Sequence, residues 1–336
     1  MEERRTALVL GATGGIGGEV VRQLGQAGWT VKAMARSIPA PDEQTEGTTW
    51  LRGDALIAGD VASAARGCSA IVHAVNPPGY KRWQDLVLPM LRNTIAAAEH
   101  EGATIVLPGT VYNYGRDAFP VITEDSPQHP FTRKGAIRVE MEHALQAFSR
   151  RGGRTLIVRA GDFFGPRAGN NWFSQGLVKP ARRITRIHNP GIGIGHQWAY
   201  LPDVARTMVA LLERRHHLEA YANFHMAGHW DPDGSQMACA IQRAAARHGG
   251  ATPAIATFPW WLVRLASPFV ETFREMLEMR YLWQQPVRMG NAKLKAVLGE
   301  EPHTPLDLAV ESTLAGLGCI PPLESASGDL ASSARS

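Results

Sequence analysis

The sequence predicts an α/β protein built on a doubly wound parallel sheet, and three observations carry that reading. Short apolar runs alternate with helical patterns through the first half of the chain. The first run, "TALVL", leads straight into a glycine cluster that opens a helix, "GATGGIGG". The alternation weakens only after Gly161, which sets a second, smaller part of the chain apart.

Taken in order, the strands are expected at 6–10, 30–35 ("TVKAMA"), 48–54 ("TTWLRGD"), 70–75 ("AIVHAV"), 103–109 ("ATIVLPG") and 154–161 ("RTLIVRAG"). Each is a short apolar run bounded by glycine or a polar turn. Helical patterns fill the gaps at about 15–27, 62–67, 82–101 and 132–151. In the second half "GPRAGNNWF" (165–173) is loop-like, "HQWAYL" (196–201) is strand-like, and helices are expected at 203–214, 235–248 and about 305–316. Asp203 is expected to cap the first of these. A second glycine run, "GIGIG" (191–195), precedes no helix and reads as a turn.

Composition excludes several classes. The chain has 336 residues, 44% hydrophobic and 20% charged, with a net charge of +4 from scattered basic residues. That describes a soluble globular protein without a nucleic-acid partner. Cys68, Cys239 and Cys319 form no CxxC pair, so no metal site is expected and a reduced, cytoplasmic setting is the default. The apolar run before "GATGG" is too short for a signal peptide or a membrane span. "FPWWLVRLASPFV" (258–270), broken by Pro259, Arg264 and Pro268, reads as a buried or groove-lining segment, so no membrane partner is expected either.

The glycine cluster sits where a dinucleotide loop must sit, between first strand and first helix. Gly11 permits the tight turn, Gly14 lets backbone N–H groups approach a pyrophosphate, and Gly17 lets helix and strand pack closely. Thr13, Gly15 and Ile16 complete the loop. Residues 1–160 with 197–228 are therefore expected to form a dinucleotide-binding, Rossmann-type domain. The substrate-binding domain is expected at 161–196 with 229–322. The tail 323–336, small, polar and aperiodic, is expected to be disordered.

"TGGIGG", "GD" (53–54), "HAVNPP" (73–78), "YNYG" (112–115), "RAGDFFGP" (159–166) and "WAYLPDVA" (198–205) together resemble the extended short-chain dehydrogenases/reductases over residues 6 to about 320. The resemblance implies that Asp54 meets the adenine and that Ala74, Val75 and Asn76 line the nicotinamide side. It also implies a homodimer through the helices near 82–101 and 132–151. The second strand ends with Ala35 and Arg36 and no acidic residue, which favours NADP(H), with NAD(H) still possible.

The family's Tyr-x-x-x-Lys pair is missing. Counting back from Glu142 puts Arg138 in the lysine's place and Lys134 in the tyrosine's, and Thr110 takes the place of the family's Ser/Thr. "KGAIRVEME" is similar to the helix start of isoflavone-reductase-like members, which use NADPH and a lysine here. That implies Lys134 as acid/base group, or as a fixed cation at a developing oxyanion, with Arg138 in support. Tyr112 and Tyr114 are further sources of a hydroxyl, and Phe163, Phe164, Trp172, Trp198 and Tyr200 give the substrate side an aromatic character. The leading expectation is an NADP(H)-dependent oxidoreductase reducing a carbonyl or conjugated double bond of a small hydrophobic substrate. The alternatives are a sugar-nucleotide epimerase/dehydratase and a non-catalytic dinucleotide-binding sensor.

Overall fold

The structure, a computed structural model, describes residues 5–77, 83–169, 171–249 and 252–323. In chain order the first half runs β1 (Thr6–Leu10), α1 (Gly15–Gln26), β2 (Thr30–Ala35), β3 (Thr48–Arg52), α2 (Ala58–Ala65), β4 (Ala70–His73), α3 (Trp83–Glu101), β5 (Thr104–Gly109), β6 (Val121–Ile122), α4 (Arg133–Arg150) and β7 (Arg154–Arg159). The second half adds β8 (Asp162–Phe164), β9 (Arg186–Asn189), β10 (His196–Tyr200), α5 (Leu201–Glu213), β11 (Tyr221–His225), β12 (His229–Asp231), α6 (Gln236–Arg247), β13 (Ala254–Thr257), α7 (Trp260–Ala266), α8 (Glu271–Glu278), β14 (Arg288–Met289), α9 (Ala292–Leu298) and α10 (Leu306–Gly316).

Seven strands form one sheet in the order β3-β2-β1-β4-β5-β7-β11, every pair parallel. Alternate residues of β1 feed the two sides. Ala7 and Val9 pack with Val20, Leu24, Val204 and Leu211 under α1 and α5. Leu8 and Leu10 pack with Leu91, Ile105, Leu145 and Phe148 under α3 and α4. Strands buried on both faces read as continuous apolar runs, which is why they stand out in the sequence. The chain order reverses between β1 and β4, and ligands of open α/β sheets bind in the crevice at that switch.

A third core gathers Phe164, Phe173, Trp198, Tyr200, Ile241 and Leu314. Three of the aromatic residues expected at the substrate rim, Phe164, Trp198 and Tyr200, are thus buried in packing. Thr132 caps α4, its hydroxyl accepting from Gly135 N at 3.0 Å. Residues 191–195 form a turn with no helix after them, closed by Ile194 N on Gly191 O at 3.1 Å and tied to its neighbour by Gly193 N on Asp233 O at 2.8 Å.

Several expectations are corrected. β11, the seventh strand of the sheet, was not expected: it is as long as β1, but Asn223 and His225 interrupt its apolar run, and the short strands β8, β9, β12, β13 and β14, of two to four residues, were not expected either. Asp203 is no cap: α5 starts at Leu201, and the Asp203 carboxylate accepts from Thr304 N (2.7 Å) and Thr304 Oγ1 (2.8 Å). The segment 258–270 is not buried, because Trp261, Leu262, Leu265 and Phe269 stand in solvent. Pro78, Arg82 and the expected disordered tail beyond residue 323 lie outside the described residues.

Candidate functional site

A cavity of about 550 Å³ opens at the switch point between β1 and β4. Gly11, Thr13, Gly14, Gly15, Ile16, Arg36, Asp54, Ala74, Val75 and Asn76, all expected to hold cofactor, line it. Gly17 does not line it but shapes it. A Cβ there would lie 2.2 Å from Gly11 O, so only glycine lets α1 start so close to β1. Gly11 has φ +79°, and a Cβ on it would stand 2.6 Å from Ala74 O. No side chain caps α1, so its first-turn N–H groups are left for an anion. This cradle fits a dinucleotide pyrophosphate on the structure's own geometry.

At the end of the cavity expected to take the adenosine, Asp54 is held by its own loop, Oδ1 accepting from Leu56 N at 3.0 Å. Arg36 also lines an adjoining cavity of about 760 Å³ with Arg22, Ser37, Arg167 and Glu43. Burial lowers the Arg22 pKa, opposed by Glu19 and aided by Arg167. Glu43 is a carboxylate at this wall that the end of β2 did not reveal.

At the end of the cavity expected to take the nicotinamide, Asn76 Oδ1 accepts from Trp83 Nε1 at 2.7 Å, and the Arg138 guanidinium lies 5.0 Å over the Trp83 ring. Arg138, Thr110 and Tyr112 all line the cavity. His73, beneath them, is bonded through Nδ1 to Thr94 Oγ1 at 2.8 Å. Burial, with Arg138 adding repulsion, pushes its pKa down to about 3.

Lys134 does not join them. It is buried (3% exposed), and its Nζ lies 2.7 Å from Glu275 Oε2 and 3.9 Å from Glu278 Oε2, with Glu275 O accepting at 3.0 Å. The face of α4 carrying Lys134, Arg138 and Glu142 is therefore interior rather than solvated, but its three charges serve three different neighbours. Glu142 takes both its oxygens to Arg159 Nη2, at 2.8 and 2.9 Å.

Behind the cavity a continuous set of hydrogen bonds ends on that pair. Thr110 Oγ1 donates to Asn113 Oδ1 (3.2 Å), Asn113 Nδ2 to Gln128 Oε1 (3.0 Å), and Gln128 Nε2 to Glu142 Oε2 (2.9 Å). Arg159 also donates to Thr110 O and to His225 Nε2, the latter at 3.2 Å. Tyr114 is fully buried with its hydroxyl 3.0 Å from the same His225 nitrogen, so it packs in this network instead of facing the cavity. Burial raises the Tyr114 pKa and pushes His225 down to about 3, helped by Arg159.

Two groupings were invisible in the sequence. His196 Nε2 lies 2.9 Å from Asp162 Oδ2, with its ring stacked 3.7 Å from Trp283. Asp203, His229 and His303 bring one potential ligand atom each to within 4.8 Å of the others, although the Asp203 oxygens already accept from Thr304 and Arg206. Residues so far apart in the chain give no spacing to read.

The comparisons agree with this geometry. No curated protein matches the chain. Solved structures similar to it include MoeE5 in complex with UDP-glucose and NAD (18% identity, 93% of this chain and 98% of that one, TM-score 0.69). The UDP-N-acetylglucosamine 4-epimerase from Bacillus cereus shares 18% identity over 91% of this chain and 94% of that one, with TM-score 0.67. Gox2253 shares 19% over 95% and 100%, with TM-score 0.72. At such identities these show a common fold. The profile of the NAD dependent epimerase/dehydratase family matches residues 7–227, which holds every strand of the main sheet and the whole lining of the cavity. The chain belongs to that family of NAD(P)-dependent enzymes.

Proposed function

We propose that this enzyme binds NADP(H) along the cavity and transfers hydride reversibly at an oxygen-bearing carbon of a sugar nucleotide, as an epimerase or dehydratase. One observation carries the reading: a single cavity runs from Arg36, past the glycine loop, to Thr110, Tyr112 and Arg138. Family membership, and neighbours whose descriptions name UDP-sugars, support the sugar nucleotide over the hydrophobic carbonyl. Arg36 with Arg167 supports NADP(H), since guanidinium forks match a 2′-phosphate.

The glycine cradle and Asn76 would hold the dinucleotide, whose nicotinamide supplies the hydride acceptor and donor. In our reading Tyr112, on the cavity wall, carries the proton at the substrate oxygen in place of the missing helix tyrosine. Thr110 fixes that oxygen. Arg138 orders Trp83, which in turn holds Asn76, and its charge adds to the burial that lowers the His73 pKa. Lys134 serves as a latch between α4 and α8, steadying the wall from behind. We also place a two-fold homodimer contact on α3 and α4, for which light scattering should give twice the chain mass.

Net NADPH-consuming reduction of a small hydrophobic carbonyl is the second reading. Trp83, Leu86, Met90 and Phe163 on the cavity wall favour it. Cofactor titration followed by turnover on UDP-sugars and on carbonyl and enone compounds separates the readings. Product without net change of cofactor supports the first, and steady NADPH loss the second. Tight cofactor binding with no turnover on either set overturns both and leaves a sensor.

A further inference from the structure

Helices α7 and α8 form a hairpin whose first helix and connecting turn carry a row of exposed apolar side chains. Outward stand Trp261 (68% exposed), Leu262, Leu265 (69%), Phe269 (89%) and Val270. A soluble helix places its apolar stripe toward the core. Here the inner contacts are already made. Trp260 packs on Trp172 and Phe258 at 5.6 and 5.0 Å between ring centres, and its Nε1 donates to Pro190 O at 2.9 Å. Val263 is buried beneath α7, and Glu275 and Glu278 of α8 are drawn in toward Lys134. The turn is closed by Phe269 N and Val270 N on Ala266 O, both at 3.0 Å. With its inner face satisfied, the hairpin has no way to turn the outer side chains inward.

A contiguous apolar patch of this kind marks an interaction surface, and two features identify the partner. The first is charge. Arg264 and Arg274 stand exposed on the hairpin, opposed there only by Glu271 among outward-facing charges. Trp, Leu and Phe at a tip flanked by arginine is the chemistry of the lipid interface, where aromatic rings sit at headgroup depth and cations meet anionic lipid. The second is area. The five side chains present on the order of 500 Å², short of the roughly 800 Å² per partner of a stable dimer. No described helix is long and apolar enough to cross a membrane, so the contact is peripheral.

We propose that the α7–α8 hairpin docks on a bilayer surface bearing anionic headgroups, seating Trp261, Leu265 and Phe269 among the lipids. Co-sedimentation of the full chain with phosphatidylcholine vesicles, with and without phosphatidylglycerol, tests this. The chain should pellet with the mixed vesicles, more weakly with phosphatidylcholine alone, and less as salt is added. The triple variant Trp261→Ser, Leu265→Ser, Phe269→Ser should lose binding at least tenfold while keeping cofactor affinity and the wild-type circular dichroism. Failure to pellet with either vesicle overturns the proposal. So does a dimer mass that the triple variant reduces to that of a monomer, since a second copy would then cover the patch.

Discussion

Lys134 Nζ stands 2.7 Å from Glu275 Oε2, joining residues 141 positions apart at the place where the sequence led us to expect a proton donor. The same amine reaches Glu275 O, and Glu278 lies at 3.9 Å. The C-terminal segment is therefore pinned to the start of α4, next to Tyr112. Charge at this position works between two elements of the protein rather than across the cavity.

Lys134→Met should accordingly act first on stability. It takes the buried cation from Glu275 and Glu278 and leaves them only the exposed Arg133 Nη2, at 3.4 and 3.9 Å, so the cost should lie at or below the low end of the about 3–5 kcal/mol for breaking a buried pair. Denaturant unfolding should show that loss. Turnover, once a substrate is in hand, should fall less than tenfold. A loss beyond a hundredfold with unchanged stability would return the proton to Lys134.

Tyr112→Phe should do the reverse. It removes a hydroxyl from the cavity wall while keeping the ring, so stability and cofactor affinity should hold. Turnover should drop roughly 10²–10⁴-fold, the usual worth of a general acid–base group. Single-turnover kinetics with bound cofactor would show the drop in the chemical step.

Arg36→Ala should weaken NADP(H) more than NAD(H). A lost charge-assisted hydrogen bond to a 2′-phosphate is worth about 1.5–3 kcal/mol, or some tenfold to hundredfold in Kd. Calorimetric titration of both cofactors decides it, and equal weakening of the two would refute the NADP(H) assignment.

Stability should fall on mild acidification. His73 and His225 are pushed from an unfolded value near 6.5 down to about 3 by burial, with Arg138 and Arg159 adding repulsion. Both are neutral in the fold, so their contribution is complete above pH 6.5 and is lost as pH falls from there toward 3. Each adds a slope of about 1.4 kcal/mol per pH unit inside that window. Urea midpoints at pH 7.5, 6 and 5 should trace the fall, and His225→Gln should make it shallower.

Six strands of the main sheet were legible because the central ones are buried on both faces and separated by regular helices. "TALVL" followed by "GATGG" placed β1, the turn and α1 almost to the residue. The cofactor loop was legible for the same reason: Gly11 and Gly17 answer local steric demands that only glycine meets. What the sequence withheld were contacts over long separations. Nothing near Lys134 announced Glu275, and nothing near His196 announced Asp162. The α7–α8 hairpin misled for another reason. An apolar run reports hydrophobicity but not which side of it the protein fills.

The hydrogen bonds behind Thr110 have a direction, and it reaches the substrate. Glu142 accepts from Arg159 through both oxygens, so Gln128 presents its amide nitrogen to it. Gln128 then shows its oxygen to Asn113 Nδ2, and Asn113 shows its own oxygen to Thr110, taking the hydroxyl proton. Thr110 is left with lone pairs toward the cavity. It can hold an alcohol, which has a proton to give, but not a ketone, which has none. Under the proposed function, Thr110 would grip the alcohol form of the substrate and pass the ketone form to Tyr112, whose hydroxyl, once it carries the proton, can donate to it. Gln128→Leu, by cutting the chain, should shrink the difference in affinity between the two forms.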